Sequence, residues 1–237
     1  MSLLTNLDAY YKLDEASGNR SDSVGSNDLT DVNTVLAAAG KINDGADFES
    51  SNSERLTTST PFTTATTNFS YSFWFKAESV GAFQTLLQFG RQANFVWLYL
   101  TNASPATLSL VKDNLAVYNS STTISAGSWY HIVGVKDGDS GTNFTHYVNG
   151  VAAGTGSMGS VSTPSILSQV GIYTANGSTY LYPTDGIIDE LGIWSRSLTS
   201  GEVSDLYNSG AGLSYDDFGG GGGAAAQTAR RGVVMMM

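Results

Sequence analysis

The chain of 237 residues contains no cysteine, four prolines and two histidines. The lack of cysteine excludes disulfide bonds and any metal or redox chemistry that depends on a thiolate. Charged residues make up only 14% of the chain, and acidic residues outnumber basic ones by 21 to 11, which gives a net charge of −10. Because a strongly negative chain repels phosphate backbones, we expect no nucleic acid as a partner.

Long apolar runs are also missing. No segment approaches the roughly 18 consecutive apolar residues of a membrane span, so we expect no membrane insertion. The first residues lack the basic segment, the long apolar run and the small-residue cleavage site of a secretion signal. Together with the absence of cysteine, this fits a reducing cytosol or a virion that is assembled there.

Two regions of the chain differ in composition. Residues 1–215 alternate short apolar runs with clusters of Ser, Thr, Asn and Gly, whereas residues 216–237 form a Gly-rich linker and an apolar C-terminal tail. Five consecutive glycines at 219–223 predict a flexible linker. The composition of the tail predicts disorder unless a partner orders it. In that case its apolar end is a candidate assembly anchor, made of Val233, Val234, Met235, Met236 and Met237.

The body of the chain predicts an all-β fold. Six short segments are rich in β-branched and aromatic residues and are bounded by turn-forming residues. These segments are Tyr71 to Lys76, Phe95 to Leu100, Leu108 to Lys112, Trp129 to Lys136, Phe144 to Val148 and Ile187 to Trp194. Asn149 and Gly150 predict a tight hairpin, because a type I′ turn needs positive φ at both positions. Thr199 and Glu202 have the spacing of a capping box that begins one short helix, with Gly210 at its C-terminal end.

The order of several short motifs resembles a known family. The motifs are Tyr11-Lys-Leu-Asp-Glu15, Asp22-Ser-Val-Gly25, Ala46-Asp-Phe48, Phe69-Ser-Tyr-Ser-Phe-Trp-Phe75, Gly127-Ser-Trp-Tyr-His131, Tyr147-Val-Asn-Gly150 and Gly186-Ile-Ile-Asp-Glu-Leu-Gly-Ile-Trp194. From about residue 7 to residue 212 the chain is similar to the laminin-G-like jelly-roll domain of the concanavalin A-like lectin/glucanase superfamily. The resemblance implies a sandwich of two antiparallel sheets with adjacent first and last strands. It also implies binding of carbohydrate or protein, often with a calcium ion.

Alternation along residues 187–194 indicates a buried carboxylate. Leu191 and Ile193 are the natural core-facing pair, and Asp189 has the same parity along a regular strand. If the two faces are exchanged, Glu190 becomes the inward acid instead. A buried carboxylate must be paired, because an unpaired buried charge is very costly.

Two kinds of partner are open for this carboxylate. One is a set of turn backbone N–H groups. The other is a structural calcium ion shared with Asp22 and Asp28, since calcium takes six to eight oxygen ligands and these residues lie in an Asp-rich turn. The resemblance favours the ion, because calcium sites in the family use acidic residues from both ends of the chain. The predicted metal ligands are therefore Asp22, Asp28 and Asp189.

Candidate glycan ligands lie on a turn-rich segment. Sugar sites combine an exposed aromatic ring with polar hydrogen-bonding groups. The predicted ligand-binding residues are Tyr173, Asn176, Tyr180 and Tyr182, with Tyr118 and Asn119 as a second group. The alternative is that these tyrosines only cover sheet edges with their hydroxyl groups in water. The tryptophans within apolar strands are expected in the core: Trp74, Trp97, Trp129 and Trp194.

Catalysis is not expected. Retaining glycosidases need two carboxylates about 5 Å apart. Asp189 and Glu190 are adjacent along a strand, so a regular strand would point them to opposite faces. His131 shares parity with Val133 and Val135, which predicts a structural role for this histidine.

The leading functional prediction is a non-catalytic structural or adhesion protein of a virus particle, such as a phage head-decoration, head-fibre or tail-fibre module. Its partners would be other virion proteins, held through the C-terminal tail, and a cell-surface glycan; an oligomer is compatible with this role. The alternatives are a free carbohydrate-binding or adhesion domain at a bacterial surface and, third, a relative of glycoside hydrolases.

Overall fold

A computed structural model describes residues 2–58, 60–90, 95–113, 115–161, 168–175 and 177–219. These residues form two antiparallel sheets packed face to face with one short α-helix. The predicted all-β, two-sheet class is therefore confirmed. Asn176 and Val233 to Met237, which were predicted as ligand and anchor residues, lie outside the described residues.

Seventeen strands are formed by the described residues. In chain order they are β1 (Leu7–Tyr11), β2 (Thr30–Val32), β3 (Leu36–Ala39), β4 (Asp44–Phe48), β5 (Arg55–Thr57), β6 (Phe69–Ala77), β7 (Gln84–Phe89), β8 (Val96–Leu100), β9 (Ala106–Lys112), β10 (Leu115–Ile124), β11 (Trp129–Lys136), β12 (Phe144–Val148), β13 (Val151–Gly156), β14 (Gln169–Val170), β15 (Tyr173–Thr174), β16 (Tyr180–Leu181) and β17 (Gly186–Trp194). The helix α1 spans Ser200–Tyr207, and 3-10 turns follow at Asn208–Gly210 and Tyr215–Asp217.

The first sheet has the strand order β13-β12-β11-β6-β17-β4-β3, and β1 pairs with β17. Leu7 lies opposite Trp194, and Tyr11 lies opposite Leu191. The first and last strands are therefore neighbours, as the family resemblance implied. This pairing joins the first and last strands by main-chain hydrogen bonds.

The second sheet has the order β10-β9-β8-β7-β14-β5-β2, and the hairpin β15-β16 forms a separate pair of strands. The side chains that fill the space between the two sheets include Phe73 and Phe75 from the first sheet and Leu98 and Leu110 from the second. Because strand residues alternate between faces, the next side chains along each of these strands lie on the outer faces.

A second apolar cluster covers the outer face of the first sheet. It contains Tyr10 and Trp194 from the sheet, Val203 and Leu206 from α1, and Phe218 near the end of the described chain. Phe218 is buried, so the folded part extends beyond the predicted boundary at residue 215. Among the described residues no helix is long and apolar enough to cross a bilayer.

Local turn chemistry agrees with the sequence at two places. Asn149 and Gly150 have φ angles of 53° and 77° between β12 and β13, which is the hairpin geometry that was predicted. Thr199 caps α1 and forms the predicted capping box with Glu202. The C-terminal end differs from the prediction, because the left-handed C-cap is Asn208 and Gly210 lies in the following 3-10 turn. The Asn208 side chain accounts for this, since its amide donates to the Gly212 carbonyl at 2.8 Å.

Strand β17 carries an irregularity that the sequence pattern did not predict. The register against β6 shifts between Asp189 and Gly192, and Glu190 has a left-handed φ of 54°. Ile188 and Leu191 both face the inter-sheet core, so regular alternation is broken between them. The prediction that Asp189 shares the face of Leu191 is therefore wrong.

Candidate functional site

The outer face of the second sheet carries a group of aromatic side chains. In β8 the buried Val96, Leu98 and Leu100 alternate with the half-buried Trp97 and Tyr99. The apolar set points to the core, so Trp97 and Tyr99 project from the opposite face. The prediction that Trp97 belongs to the core is therefore wrong.

The hairpin β15-β16 brings three tyrosines to this face. Gln88 of β7 fixes its position, because the carboxamide donates to the Thr174 carbonyl at 2.9 Å and accepts from the Thr174 backbone N–H at 2.8 Å. Thr174 is paired with Tyr180, and Tyr173 is paired with Leu181. These two hydrogen bonds hold the hairpin over the sheet and place Tyr173 beside β8.

Five rings form what we call the aromatic patch: Phe83, Trp97, Tyr99, Tyr173 and Tyr182. The Trp97 centroid lies 4.0 Å from that of Tyr99, 4.7 Å from that of Tyr173 and 5.5 Å from that of Tyr182. Phe83 bridges Tyr99 and Tyr182, with centroid distances of 5.9 and 5.5 Å. All five are half-buried or exposed, and Tyr182 retains 37% of its accessible surface.

The aromatic patch is held in place by polar contacts beneath it. The indole N–H of Trp97 donates to the Thr85 hydroxyl at 3.0 Å. The backbone N–H of Thr85 donates to the Tyr182 carbonyl at 2.8 Å. Partial burial, and secondarily the neighbouring Tyr182, raise the pKa of Tyr173, so its hydroxyl stays protonated near neutral pH. The result is an uncharged, largely apolar surface that faces solvent.

The other predicted ligand residues have different positions. Tyr180 lies on the same hairpin but stacks beneath Arg55 of β5, with the guanidinium carbon 4.0 Å from the ring centroid. Tyr118 is buried and donates to the Ala153 carbonyl at 2.8 Å, so it joins the edges of the two sheets and is not a surface ligand group. The structure therefore brings Tyr173 and Tyr182 together and places Tyr180 beside them.

Of the other tryptophans, Trp74 and Trp194 are buried as predicted, whereas Trp129 is not. Trp129 is half-buried, with the Lys76 ammonium 5.3 Å from its ring centroid. Trp74 and Trp194 are buried, but on the outer face of the first sheet, where Tyr207 and Phe218 stack on them. The apolar segment around each tryptophan predicted a strand, but it did not predict what packs against the tryptophan side of that strand.

The predicted metal ligands at the N-terminal turn are occupied by backbone donors. One Asp22 oxygen accepts from the N–H groups of Tyr10 and Val24 at 3.1 and 3.0 Å, and the other accepts from Asn27 at 3.3 Å. Asp28 accepts from the Asp22 N–H at 2.9 Å. These carboxylates therefore stabilise the turn by accepting backbone hydrogen bonds, and Asp22 fits a calcium ion poorly.

Asp189 is buried beneath the turn that precedes β4. One of its oxygens accepts from the backbone N–H groups of Lys41 and Ile42 at 2.7 and 2.9 Å. Its other oxygen, Oδ1, is buried and has no hydrogen-bond partner among the described residues. Burial raises the pKa of Asp189 to about 7. Of the three predicted ligands, Asp189 alone presents a buried oxygen that suits a cation, and calcium there stays a prediction.

Glu190 lies on the same face as Asp189. Its side chain accepts a hydrogen bond from the Tyr10 hydroxyl, within the cluster that also holds Trp194. Burial, and secondarily the neighbouring Asp189, raise the pKa of Glu190 to about 8. The expectation that these two acids point to opposite faces is wrong, because the irregularity in β17 turns both outward. They are 0% and 4% exposed, so burial separates them from any large substrate.

Two further polar groups were not predicted. Within the described residues, Asp47, Glu49 and Glu78 bring carboxylate oxygens within 4.8 Å of one another at the end of the first sheet. A separate shallow depression includes Asp8, Asn27 and Phe62 in its lining, but Asp8 is engaged by the hydroxyls of Thr63 and Ser195 at 2.5 and 2.6 Å. Neither group offers an exposed aromatic surface.

Comparison with solved structures shows the fold. The chain is similar to domain 4 of AbnA, an extracellular arabinanase from Geobacillus stearothermophilus solved with arabinotriose; the identity is 24%, the TM-score is 0.66, and the match covers 85% of this chain and 98% of that one. It is also similar to the binding domain of Paraclostridial Mosquitocidal Protein 1, with 16% identity, a TM-score of 0.67 and coverage of 86% and 52%. A third similar structure is a Trypanosoma rangeli sialidase, with 14% identity, a TM-score of 0.64 and coverage of 87% and 34%.

The last two matches show that this chain spans about half of the mosquitocidal binding domain and a third of the sialidase. Comparison with curated proteins found no match. A laminin-G family model, described as the concanavalin A-like lectin/glucanases superfamily, matches residues 48–204. This match covers more than half of the chain, so the chain belongs to the concanavalin A-like lectin/glucanases superfamily.

Proposed function

We propose that this chain is a non-catalytic carbohydrate-binding domain whose ligand lies on the aromatic patch. The observation that carries the proposal is the set of rings around Trp97, which project from the outer face of the second sheet and remain accessible. Most large aromatic side chains that cluster in this way are buried in a core or an interface. Five aromatic rings grouped on one surface therefore suit a ligand with apolar faces.

The chemistry of a sugar matches this surface. A pyranose or furanose ring presents C–H groups on its faces and hydroxyl groups around its edge, so aromatic rings can cover the faces while polar groups bind the edge. Within the described residues, the hydroxyls of Tyr99, Tyr173 and Tyr182 make no hydrogen bond to another residue and so remain free for a ligand. The aromatic patch therefore offers both apolar rings for the faces of a sugar and hydroxyl groups for its edge.

The structural relatives support a sugar ligand. Domain 4 of the arabinanase, which this chain matches over almost all of that domain, was solved with an oligosaccharide. Low identity prevents a transfer of the particular sugar, so the class of ligand is argued from the aromatic patch. The burial of Asp189 and Glu190 supports binding without hydrolysis, because acid catalysis requires carboxylates that contact the glycosidic bond.

A glycan array probed with the full chain tests this proposal. Flat sites bind single glycans weakly, so the chain should be displayed multivalently to gain avidity. We expect binding to at least one class of oligosaccharide and a loss of about tenfold or more for Trp97→Ala, equivalent to about 1.4 kcal/mol. Trp129→Ala is the matched control, because Trp129 is a half-buried tryptophan of the other sheet.

Two results would contradict the proposal. One is the absence of binding to every glycan class by a chain whose circular dichroism shows a folded β-protein. The other is equal binding by wild type and Trp97→Ala. Hydrolysis of a bound oligosaccharide would instead restore the enzyme alternative.

The biological setting in which this domain binds its ligand is a separate proposal. The role in a virus particle, with attachment through Val233 to Met237, stays a prediction because these residues lie outside the described part. Mass spectrometry of purified particles tests it: absence of the chain would contradict a virion role. Binding at a bacterial surface by the free chain would favour the alternative of an adhesion domain.

A further inference from the structure

We infer that the glycan bound by this chain carries a carboxylate, recognised by Arg55 where it stacks on Tyr180 beside the aromatic patch. The inference rests on the proposed function and adds the chemical class of its ligand. The inference starts from the observation that Arg55 has no acidic partner among the described residues. The chain has a net charge of −10 and only 11 basic residues, so an arginine without an acidic partner requires a reason.

The described part of the chain contains two other arginines, and each is bound to an acid. Arg196 forms a two-pronged ion pair with Glu202 at 2.7 and 2.8 Å. Arg20 is buried and lies 3.9 Å from Glu15. Arg55, in contrast, forms no ion pair with any described carboxylate, and its hydrogen bond within that part is a long one of 3.4 Å to the Ser53 carbonyl. Most of its five N–H donors are therefore available.

The backbone points Arg55 toward the ligand surface. Leu56, the next residue of β5, is fully buried in the inter-sheet core, so the Arg55 side chain lies on the outer face of the second sheet. This is the face that carries Trp97 and Tyr99. Arg55 is half-buried, so its head group is partly desolvated yet reachable.

Stacking on Tyr180 leaves the right atoms free. The guanidinium carbon is 4.0 Å from the Tyr180 centroid, which is van der Waals contact with the ring. A guanidinium packed on a ring keeps its N–H groups around its own edge, where they can bind both oxygens of a carboxylate. Stacking also reduces the conformational freedom that a long side chain would lose on binding.

The hairpin connects this cation to the aromatic patch. Tyr180 and Tyr182 are two residues apart at the end of β16, so their Cα atoms are separated by roughly 7 Å. Tyr182 lies in the patch and Tyr180 lies under Arg55. A short oligosaccharide can therefore stack on Trp97 and Tyr182 and place an acidic residue against Arg55. Uronic acids and sialic acids both supply the required planar carboxylate.

Matched pairs of glycans test this inference with the full chain. One pair is a uronic-acid oligosaccharide and its carboxyl-reduced form; the other is a sialylated oligosaccharide and its desialylated form. Titrations at about 0.15 M salt reduce long-range repulsion from the acidic chain, since the screening length is then about 8 Å. We expect the acidic member of one pair to bind about tenfold or more tightly than its neutral partner. The pair that shows this difference identifies the source of the carboxylate.

Variants of Arg55 and Tyr180 test whether the guanidinium causes the difference in affinity between acidic and neutral glycans. Arg55→Gln should bring the acidic-to-neutral affinity ratio close to 1, and Arg55→Lys should restore only part of it, because an ammonium lacks the planar pair of donors. Tyr180→Leu should lower the ratio by removing the surface on which the guanidinium is held. Lys12→Gln is the control for a lost positive charge, because Lys12 directly follows β1 of the first sheet and pairs with Asp216 in a 3-10 turn. This variant should leave the ratio unchanged.

The outcomes separate the inference from the proposed function. Equal binding of both members of both pairs by wild type would overturn the inference and leave carbohydrate binding intact. An unchanged ratio in a folded Arg55→Gln would also overturn it, as would a preference for sulfated over carboxylated glycans. Failure to bind any member of either pair, or any neutral glycan, would contradict the proposed function itself.

Discussion

The hydroxyl oxygen of Ser72 lies 2.9 Å from Nε2 of His131, on the outer face of the first sheet beneath Tyr207. His131 is 2% exposed, and its Nδ1 has no partner among the described residues. Burial lowers the pKa of His131 to about 3. The imidazole is therefore neutral in the folded protein, which agrees with the structural role predicted from its position in the strand.

This burial predicts a loss of stability in acid. A histidine whose pKa is lower in the folded than in the unfolded state contributes stability above the unfolded pKa of about 6.5, and this contribution decreases as the pH falls toward the folded value. Between pH 6.5 and 4 the expected loss from one such group is on the order of 3 kcal/mol. His131→Gln keeps a hydrogen-bonding group near Ser72 but cannot titrate. Urea unfolding at both pH values should show a smaller loss for this variant; an identical loss in both proteins would contradict the assignment.

Regular alternation predicted two strands with their correct bounds. Trp129–Lys136 and Phe144–Val148 appear in the structure as the sequence indicated, because each is an uninterrupted strand flanked by turn residues. The last strand, β17, was also predicted, but the sheet face on which Asp189 and Glu190 lie was not. One residue with a left-handed backbone, Glu190, changed the face of Asp189, and nothing in a glutamate indicates such a conformation.

The aromatic patch shows a second limit of sequence reasoning. Tyr173 and Tyr182 were predicted because they lie in a turn-rich segment, whereas Trp97 was assigned to the core because its strand is apolar. A strand at the surface of a sandwich is apolar on one face only, and the fate of the other face depends on what packs there. Here the hairpin β15-β16 packs on that face, held by two hydrogen bonds between Gln88 and Thr174. These residues are 86 positions apart in the chain, so the sequence pattern around Trp97 does not indicate the contact.

Calcium should stabilise the chain if the predicted site at Asp189 is real. An ion that binds only the folded state at about 100 times its Kd adds about 2.7 kcal/mol of stability. For a domain of this size, that raises the Tm by roughly 5–10 °C. Differential scanning calorimetry in calcium and in chelator measures the difference, and Asp189→Asn should abolish it. Asp22→Asn is the comparison, because its oxygens already accept backbone hydrogen bonds and it should lower the Tm equally with and without calcium. Equal Tm values for wild type in both buffers would contradict the predicted calcium site.

Gly134 should not accept a side chain. It lies opposite Tyr71 in the pairing of β11 with β6, and a Cβ atom there would approach the tyrosine ring to 2.3 Å. Because Tyr71 is fully buried in the core, the ring cannot move without displacing its neighbours. We expect Gly134→Ala to lower the free energy of unfolding by about 3 kcal/mol, at the upper end for overpacking. Gly201→Ala is the control, since its Cβ would meet nothing closer than 3.9 Å and α1 should gain about 0.5 kcal/mol or more. Equal unfolding midpoints for the two variants would contradict this reading of the core.

Phe218 determines where the tail can be removed. Its ring lies 5.1 Å from Tyr10 and 6.4 Å from Trp194, and it closes the cluster on the outer face of the first sheet. A deletion that begins at Asp217 would remove this ring along with the tail, and we expect it to cost about 3 kcal/mol, as for other large-to-small changes in a core. A deletion that begins after Gly219 keeps the ring and should leave the Tm unchanged.

These two truncations also separate folding from assembly. If the shorter deletion abolishes incorporation into a particle while the Tm is unchanged, the loss belongs to the predicted anchor at Val233 to Met237. If the shorter deletion still assembles, the anchor prediction is wrong. Phe218→Ala in the full chain should reproduce the Tm of the longer deletion, because the same ring is lost with the tail present. A full-length Phe218→Ala as stable as wild type would place the end of the folded domain before residue 218.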